Sequence, residues 1–155
     1  KIEHQSIQPR QNWYRLDEQI RQSIVMMEPK WSEKEIEFDV DMMDVEYLGN
    51  ENLICHVWDN LLSNAIKFSP CGGTIYIRMM PEGEKIRFSI ENEGPQISEY
   101  SMKHIFDKFY QGDSSHKQEG NGLGLALVKQ ILNLCMGTVS VENIPGSGCR
   151  FTVIL

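Results

Sequence analysis

The side chains best suited to chemistry lie between residues 57 and 70, in the stretch VWDNLLSNAIKFSP. At helical spacing Asn60, Asn64 and Lys67 fall on one stripe, and Phe68 continues it. The apolar residues of the stretch predict that this stripe faces inward, where a carboxamide without a hydrogen-bond partner costs roughly 1–3 kcal/mol. We therefore expect the two carboxamides and the ammonium group to bind something, and a hydrated cation with a polyphosphate fits them.

A second motif, GNGLGL at residues 120–125, places three glycines directly before a predicted helix. Glycines at this place let backbone N–H groups approach phosphates at the positive end of a helix. The motif is not a Walker A loop, because no Lys-Ser or Lys-Thr follows it, and it does not follow a strand as the dinucleotide fingerprint does. A protein-kinase Gly-rich loop is disfavoured as well, since HRD and DFG are absent from the chain. Alone, the motif is equally compatible with a helix entry that binds no ligand.

A third motif, ENEGPQI at residues 91–97, follows an alternating, strand-like run. Asn followed by Gly and Pro at a strand end is most often a turn. A carboxamide there can also pair with an adenine edge, because it accepts from the amino group and donates to a ring nitrogen. The stretch by itself favours the turn.

Composition limits the classes of protein to which the chain can belong. Its 155 residues are 41% hydrophobic and 24% charged, as in one soluble globular domain, and no apolar run reaches the roughly 18 residues of a membrane span. The N-terminal residues lack the apolar core of a signal peptide, so nothing here directs the chain out of the cell. A net charge of −7 argues against nucleic-acid binding. The four cysteines form no CxxC pair and do not cluster with the histidines, which indicates free thiols in a reducing compartment.

The apolar periodicity predicts three helices and four or five strands. The helices run from Asp17, as N-cap, to about Lys34, from about Asn52 to Phe68, and from Leu123 to a C′ residue at Gly137. The strands are 36–40, a hairpin of 75–79 and 86–90, and a final pair at 138–143 and 149–155. Residues 92–122 form a long loop, which in a compact domain is typical of a lid or a disordered segment. These elements predict a two-layer α/β sandwich with one sheet face covered by helices and the other solvated.

Five segments occur in a fixed order: Asn60 to Lys67, Asn92 to Ile97, IFDKFY at 105–110, GNGLGL at 120–125 and GSGCRF at 146–151. Together they resemble the N, G1, F, G2 and final Gly-rich boxes of the sensor histidine kinase catalytic domain, from about Tyr14 to Leu155. That family belongs to the GHKL superfamily with DNA gyrase, MutL and the heat-shock chaperone ATPases. The resemblance implies the Bergerat ATP-binding fold, a mixed and mostly antiparallel sheet of about five strands packed against three helices, with an ATP lid at about 98–119. Residues 14–155 would form this domain, after a tail (1–13) from an upstream dimerisation and phosphoacceptor segment.

The resemblance also implies ATP and Mg²⁺ as cofactors and assigns residues to them. Asn64 would ligate Mg²⁺ through its side-chain oxygen, Asn60 would support the phosphates and a metal-bound water, and Lys67 would reach a phosphate. The adenine side would be formed by Phe68, Asn92, Gly94 and Ile97, with Tyr110 near the nucleotide. The triphosphate side would be formed by Gly120, Gly122, Leu123, Gly124 and Leu125. Phe106 and Phe109 would pin the lid to the body, although packing alone is the commoner role of such aromatics.

Position 60 separates two kinds of chemistry. The superfamily's hydrolases typically have a Glu there as general base, whereas Asn60 cannot take a proton from water. A neutral histidine acceptor needs no such base, so transfer depends mainly on positioning and Mg²⁺. The resemblance therefore implies a protein-histidine kinase domain of a two-component system, and a GHKL ATPase is the less favoured alternative.

The phosphoacceptor is expected outside this chain, because the residues after His4 do not match the family's acceptor motif. The expected partners are the upstream dimerisation domain and, through it, a response regulator. We expect the isolated domain to be a monomer, and the full-length protein to be a homodimer whose catalytic domain lies in the cytoplasm under a membrane-anchored bacterial sensor. Three departures from the family pattern leave a degenerate regulatory module as a further alternative: Asn92 for Asp, Gln96 for Gly and Gln111 for Arg.

Overall fold

The computed structural model describes residues 10–110 and 123–155. Its elements follow the chain as β1 (Asn12–Arg15), α1 (Leu16–Met26), α2 (Glu28–Glu33), β2 (Glu37–Met42), β3 (Glu46–Gly49), α3 (Glu51–Phe68), β4 (Thr74–Glu82), β5 (Lys85–Asn92), α4 (Glu99–His104), α5 (Gly124–Leu134), β6 (Thr138–Asn143) and β7 (Cys149–Ile154). Within the described ranges, no helix is both long and apolar enough to cross a bilayer.

Five strands form one mixed sheet in the order β2-β4-β5-β7-β6. β2 and β4 are parallel, with Glu37 opposite Thr74, and the other pairs are antiparallel. Alternate residues of the strands are buried beneath the helices, and the rings of Trp58 in α3 and Phe88 in β5 lie 4.7 Å apart between the two layers. The opposite sheet face carries polar residues such as Arg78 and Arg150. The predicted sandwich of about five strands and three principal helices is confirmed.

The first predicted helix is in fact two. α1 ends at Met26 and α2 begins at Glu28, with Pro29 in its first turn. Because proline lacks an N–H and its ring clashes with the preceding turn, one helix cannot continue through residue 29. The predicted N-cap at Asp17 is also wrong: Arg15 holds that position, and Asp17 is buried in the first turn, where it accepts from the N–H of Val45 at 3.1 Å.

Two short strands were not predicted. β1 and β3 form a separate antiparallel ribbon in which Trp13 pairs with Leu48 and Tyr14 with Tyr47. Four residues are too few for a clear alternation, so periodicity does not reveal them. β1 begins at Asn12, two residues before the domain boundary predicted at Tyr14, and residues 1–9 of the predicted tail lie outside the described residues.

The end of α5 differs from its prediction by one residue. Met136, with φ of 62°, takes the left-handed conformation that was predicted for Gly137. Gly137 is required for a different reason, since a Cβ built on it would lie 2.6 Å from the carbonyl oxygen of Ile154. The glycine therefore allows the backbone that follows α5 to pass close to the backbone of β7.

Candidate functional site

The helix α3 positions the predicted polar stripe, but at the margin of its buried face. The buried residues of α3 are Ile54, Val57, Trp58, Leu61, Leu62, Ala65 and Ile66. Asn60 and Asn64 border this apolar arc and are only half-buried, as are Lys67 and Phe68. The prediction that the stripe points inward is thus wrong by part of a turn, and these side chains lie at the edge of the core.

Asn60 uses one half of its carboxamide within its own helix. Its Nδ2 donates to the carbonyl oxygen of His56 at 2.7 Å, and its Oδ1 lies against the beginning of α5. A Cβ built on Gly124 would lie 2.6 Å from that Oδ1. A larger residue at position 124 would therefore have to displace the Asn60 side chain, and the structure brings the first and second motifs together.

Asn64 and Lys67 follow Asn60 along the same edge of α3. In the described parts of the chain, the Asn64 carboxamide has no hydrogen-bond partner, so its oxygen retains its full capacity to accept or to ligate. The Nζ of Lys67 lies 5.3 Å from the centroid of the Phe68 ring, which is a cation–π distance. A carboxamide oxygen and an ammonium group thus lie within two turns of Asn60.

The N-terminus of α5 has the features of an anion-binding helix end. Leu123 is its N-cap and supplies no side-chain cap, and the first turn carries no acidic residue. The first turns of α1 and α3, in contrast, carry acidic residues. The first N–H groups of an α-helix have no acceptor within the helix itself, and the helix dipole favours a negative group there. Leu125 packs against the core, and the predicted phosphate contacts Gly120 and Gly122 lie outside the described residues.

Asn92 ends β5 and is 2% exposed. Its Nδ2 donates to the carbonyl oxygen of Glu93 at 2.8 Å, whereas among the described residues its Oδ1 receives only the thiol of Cys149, at 3.8 Å. Burial raises the pKa of the Cys149 thiol to about 11, so this neighbour is neutral at physiological pH. Because a thiol is a weak donor, the Asn92 oxygen retains the capacity to accept a stronger bond.

Gly94 and the final Gly-rich segment close around Asn92. Gly94 has φ of 127°, and a Cβ on it would lie 2.6 Å from the carbonyl oxygen of Phe68. A Cβ on Gly148 would collide with the carbonyl of Asn92, and the N–H of Gly148 donates to the carbonyl of Gly94 at 2.9 Å. The glycines of these two motifs thus let three backbone segments meet at the end of α3.

Ile97 is held by a residue that the sequence analysis missed. Asn143, the last residue of β6, accepts from the N–H of Ile97 and donates to its carbonyl oxygen, both at 2.8 Å. Gln96 donates from Nε2 to the carbonyl of Ile144 at 2.6 Å. No local pattern marks Asn143, because an asparagine at a strand end is typical of a turn.

The described part of the predicted lid is residues 98–110. Phe106 packs edge-on to Phe151 with ring centroids 6.1 Å apart, which agrees with a role in pinning the lid. Phe109 was expected to do the same, but it is 69% exposed and has φ of 66°, because it lies in a turn that directs it away from the body. The hydroxyl of Tyr110 lies 2.5 Å from Ser101 Oγ, so it is engaged within the lid segment itself.

Together these contacts form a continuous arc from α5 through the edge of α3 to the end of β5. One end offers the N-terminus of α5 and the Asn64 oxygen, which suit phosphate and a hard cation. The other end offers the buried Asn92 oxygen beside closely packed glycines, which suits a flat, polar-edged ring. Within the described ranges, no cluster of three or more His, Cys, Asp or Glu residues is placed to hold a metal ion.

Known proteins are similar to this chain in sequence. The family model described as "Histidine kinase-, DNA gyrase B-, and HSP90-like ATPase" matches residues 49–155. The heme sensor protein HssS of Staphylococcus saprophyticus is 34% identical over 122 residues, which make up 79% of this chain and 26% of that protein. The chain thus spans about a quarter of the length of this relative.

Two solved structures are similar over nearly the whole chain. The mycobacterial sensor histidine kinase MprB superimposes with a TM-score of 0.86 at 27% identity, covering 93% of this chain and 97% of that one. The histidine kinase ThkA, solved in complex with the response regulator protein TrrA, gives a TM-score of 0.80 at 27% identity and covers 94% and 41% of the two chains.

Proposed function

The chain belongs to the family of histidine kinase-, DNA gyrase B- and HSP90-like ATPases, and we propose that it transfers the γ-phosphoryl group of ATP to a histidine on a separate dimerisation domain. Its relatives are sensor kinases of two-component systems, which supports a histidine kinase function over the functions of the gyrase and chaperone branches of the family. The chain would then be the catalytic, ATP-binding domain of such a protein.

The observation that carries the proposal is the pairing of Asn60 with Gly124. Asn60 directs its Oδ1 at the start of α5, where the phosphates of ATP would lie. A carboxamide at that place positions by hydrogen bonding but cannot remove a proton from water at neutral pH. A site so built favours transfer to an acceptor that is already nucleophilic, and a histidine imidazole is one.

The phosphate side would be held by three kinds of group. Asn64 would give its free carboxamide oxygen to Mg²⁺, a hard cation that prefers oxygen ligands. Lys67 would pair with a phosphate oxygen, and the N–H groups at the start of α5 would donate to the others. When bound, Mg²⁺ neutralises charge on the transferred phosphoryl group, and the residues of this chain orient the triphosphate beside it.

The base side would be held by Asn92 and the surrounding glycines. With its Nδ2 committed to Glu93, Asn92 would accept from the exocyclic amino group of adenine through Oδ1. It would thus fill the acceptor role of the family's Asp, although without the strength of a charged acceptor. Phe68, Gly94 and Ile97 would line the rest of the pocket around the adenine ring, with Tyr110 nearby in the lid.

The remaining partners belong to the same proposal. The domain would meet a dimerisation and phosphoacceptor domain, and through it a response regulator, as ThkA meets TrrA. We expect the full-length protein to be a homodimer anchored in a membrane, with this domain on the cytoplasmic side, and this chain to be a monomer that does not bind nucleic acid.

The decisive experiment is calorimetric titration of the chain with ATP, with and without Mg²⁺, followed by a phosphate-release assay. We expect binding that depends on Mg²⁺ and hydrolysis that is slow on the scale of minutes. Addition of a matching dimerisation domain with radiolabelled ATP should yield an acid-labile, base-stable phosphohistidine. Rapid multiple-turnover hydrolysis by this chain alone would contradict the proposal and favour the ATPase alternative.

The degenerate-module alternative is motivated by Asn92, Gln96 and Gln111. It predicts no binding even at millimolar Mg·ATP, so the same titration separates it from the kinase. The structure gives two arguments against it: the Gln96 side chain is bonded to Ile144, and the Asn92 oxygen is still available. Gln111 lies outside the described residues.

A further inference from the structure

The backbone of Ile97 is held on both sides by one side chain. The Asn143 carboxamide accepts from its N–H and donates to its C=O, each at 2.8 Å, across a separation of 46 residues. A carboxamide presents a donor and an acceptor side by side, so it can satisfy both groups at once. β6 is the edge strand of the five-stranded sheet, and this clamp ties its end to the loop after β5.

Three neighbouring bonds reinforce the same junction. Gly148 N–H donates to the carbonyl of Gly94 at 2.9 Å, the N–H of Gly94 donates to Ser147 Oγ at 3.3 Å, and Gln96 donates to the carbonyl of Ile144. Residues 94–97 are therefore attached to residues 143–148. The clamp on Ile97 is the one nearest to the lid.

The next residue, Ser98, begins the lid. Its Oγ accepts from the N–H of Ser101 at 3.1 Å and caps α4. The clamp therefore lies at the boundary between the loop that follows Asn92 and the predicted lid segment. A change at Asn143 would reach this boundary without removing any group that contacts phosphate or metal.

We propose that Asn143 is a positioning residue for nucleotide binding, which acts by fixing the backbone of Ile97 as the wall beside the adenine and as the point where the lid leaves the body. The inference rests on the proposed function, because it takes Ile97 to lie beside the base. Without the clamp, ordering of the backbone at Ile97 must occur on binding, and its cost is subtracted from the affinity.

The test measures the affinities of two ligands for four forms of the chain. Mg·ATP and Mg·tripolyphosphate are titrated into wild type, Asn143→Ala, Asn143→Asp and the control Asn133→Ala, which removes an exposed asparagine side chain on α5. For Asn143→Ala we expect Kd for ATP to rise about tenfold, equivalent to about 1.4 kcal/mol. Kd for tripolyphosphate, obtained by competition where it is weak, should change less than twofold. Asn133→Ala should match wild type for both ligands.

Asn143→Asp keeps the side-chain volume and can accept from the N–H of Ile97, but its carboxylate faces the carbonyl oxygen of Ile97. Asn143→Asp should show the same selective loss of affinity for ATP. It therefore still tests the proposal if Asn143→Ala does not fold. Unchanged ATP affinity, an equal loss for both ligands, or unfolding of both variants would overturn the positioning role. Failure of wild type to bind ATP would instead overturn the proposed function.

Discussion

The polar side chains of α1 and those of the neighbouring helix α3 differ in how completely they are bonded. Near the N-terminal half of α3, Gln19 donates to the carbonyl of Glu51 and accepts from the indole N–H of Trp58, both at 2.8 Å. The carboxylate of Asp17, which is 0% exposed, binds Arg15, Arg21 and the N–H of Val45. Along the C-terminal half of α3, Asn60 uses only its nitrogen, and Asn64 has no partner in the described residues.

The difference separates structural polar groups from groups that bind a ligand. A buried polar group whose bonds are all made inside the protein stabilises the fold and has nothing left to offer. A half-buried carboxamide with free capacity costs little while hydrated, and it can accept a bond from outside. Residue type alone does not distinguish the two, because Gln19 and Asn64 carry the same functional group.

Replacement of Asn64 and of Gln19 by alanine should give the largest effects and tests this difference directly. Asn64→Ala should raise Kd for Mg·ATP about a hundredfold, or about 2.7 kcal/mol, and change the free energy of unfolding by less than about 0.5 kcal/mol. Gln19→Ala should leave Kd within about twofold but cost about 2 kcal/mol of stability, because it leaves the buried Trp58 N–H unpaired. Calorimetry and urea denaturation measure the two quantities. If Asn64→Ala unfolds the domain, or if Gln19→Ala weakens the binding of ATP, the distinction between structural and ligand-binding polar groups fails.

The second prediction concerns Asp17 and pH. The Arg15 guanidinium holds the pKa of Asp17 well below its usual range, with help from Val45 N–H and Arg21. The native state thus binds fewer protons at Asp17 than the unfolded state, so the contribution to stability is full above the unfolded pKa of about 3.9 and is lost as pH falls toward the folded pKa. Asp17→Asn should cost about 2 kcal/mol at pH 7, since its arginine partners are partly exposed.

This loss should fade on acidification, so urea midpoints of wild type and Asp17→Asn should converge below about pH 4. The matched control is Asp39→Asn, which breaks a surface pair with Arg78 and should cost less than about 1 kcal/mol. A constant difference between wild type and Asp17→Asn down to pH 2 would show that the charge of Asp17 is not what stabilises α1.

The smallest expected effect is at the contact between α3 and α5. Gly124→Ala places a Cβ 2.6 Å from Asn60 Oδ1 and must displace that side chain, so Kd for Mg·ATP should rise about fivefold, or about 1 kcal/mol. In an Asn60→Ala background the added methyl group has room, and the double-mutant cycle should show a coupling of about 0.5–1 kcal/mol. Additive losses would mean that Gly124 acts independently of Asn60.

Much of the fold could be predicted from local pattern. The strands β4 to β7 alternate clearly, and α3 and α5 carry long apolar stripes, so the sandwich follows from periodicity. Pro29 marks a break that the periodicity across Met27 conceals. The ribbon of β1 and β3 could not be predicted, because each strand has four residues and its stability depends on pairing across more than thirty positions.

The candidate site was predictable in its parts but not in its detail. Asn60, Asn64 and Gly124 were found by motif, yet only the fold shows that Asn60 meets Gly124. The bonding of Gln96 and Asn143 depends on partners 46 or more residues away, which no local pattern encodes. The expectation that Phe109 pins the lid rested on the resemblance of residues 105–110 to a family motif, whereas Phe109 lies exposed in a turn with a positive φ.

The parallel pairing of β2 with β4 has a consequence for how the domain folds. Its connection is a crossover that contains β3 and all of α3, so the helix with the asparagines lies in the chain segment between two adjacent strands of one sheet. The hairpin of β4 and β5 closes over a short loop, whereas this crossover must close over a much longer one and carries a larger entropic cost. We therefore expect α3 to dock late in refolding, so that competence to bind nucleotide would report completion of the fold.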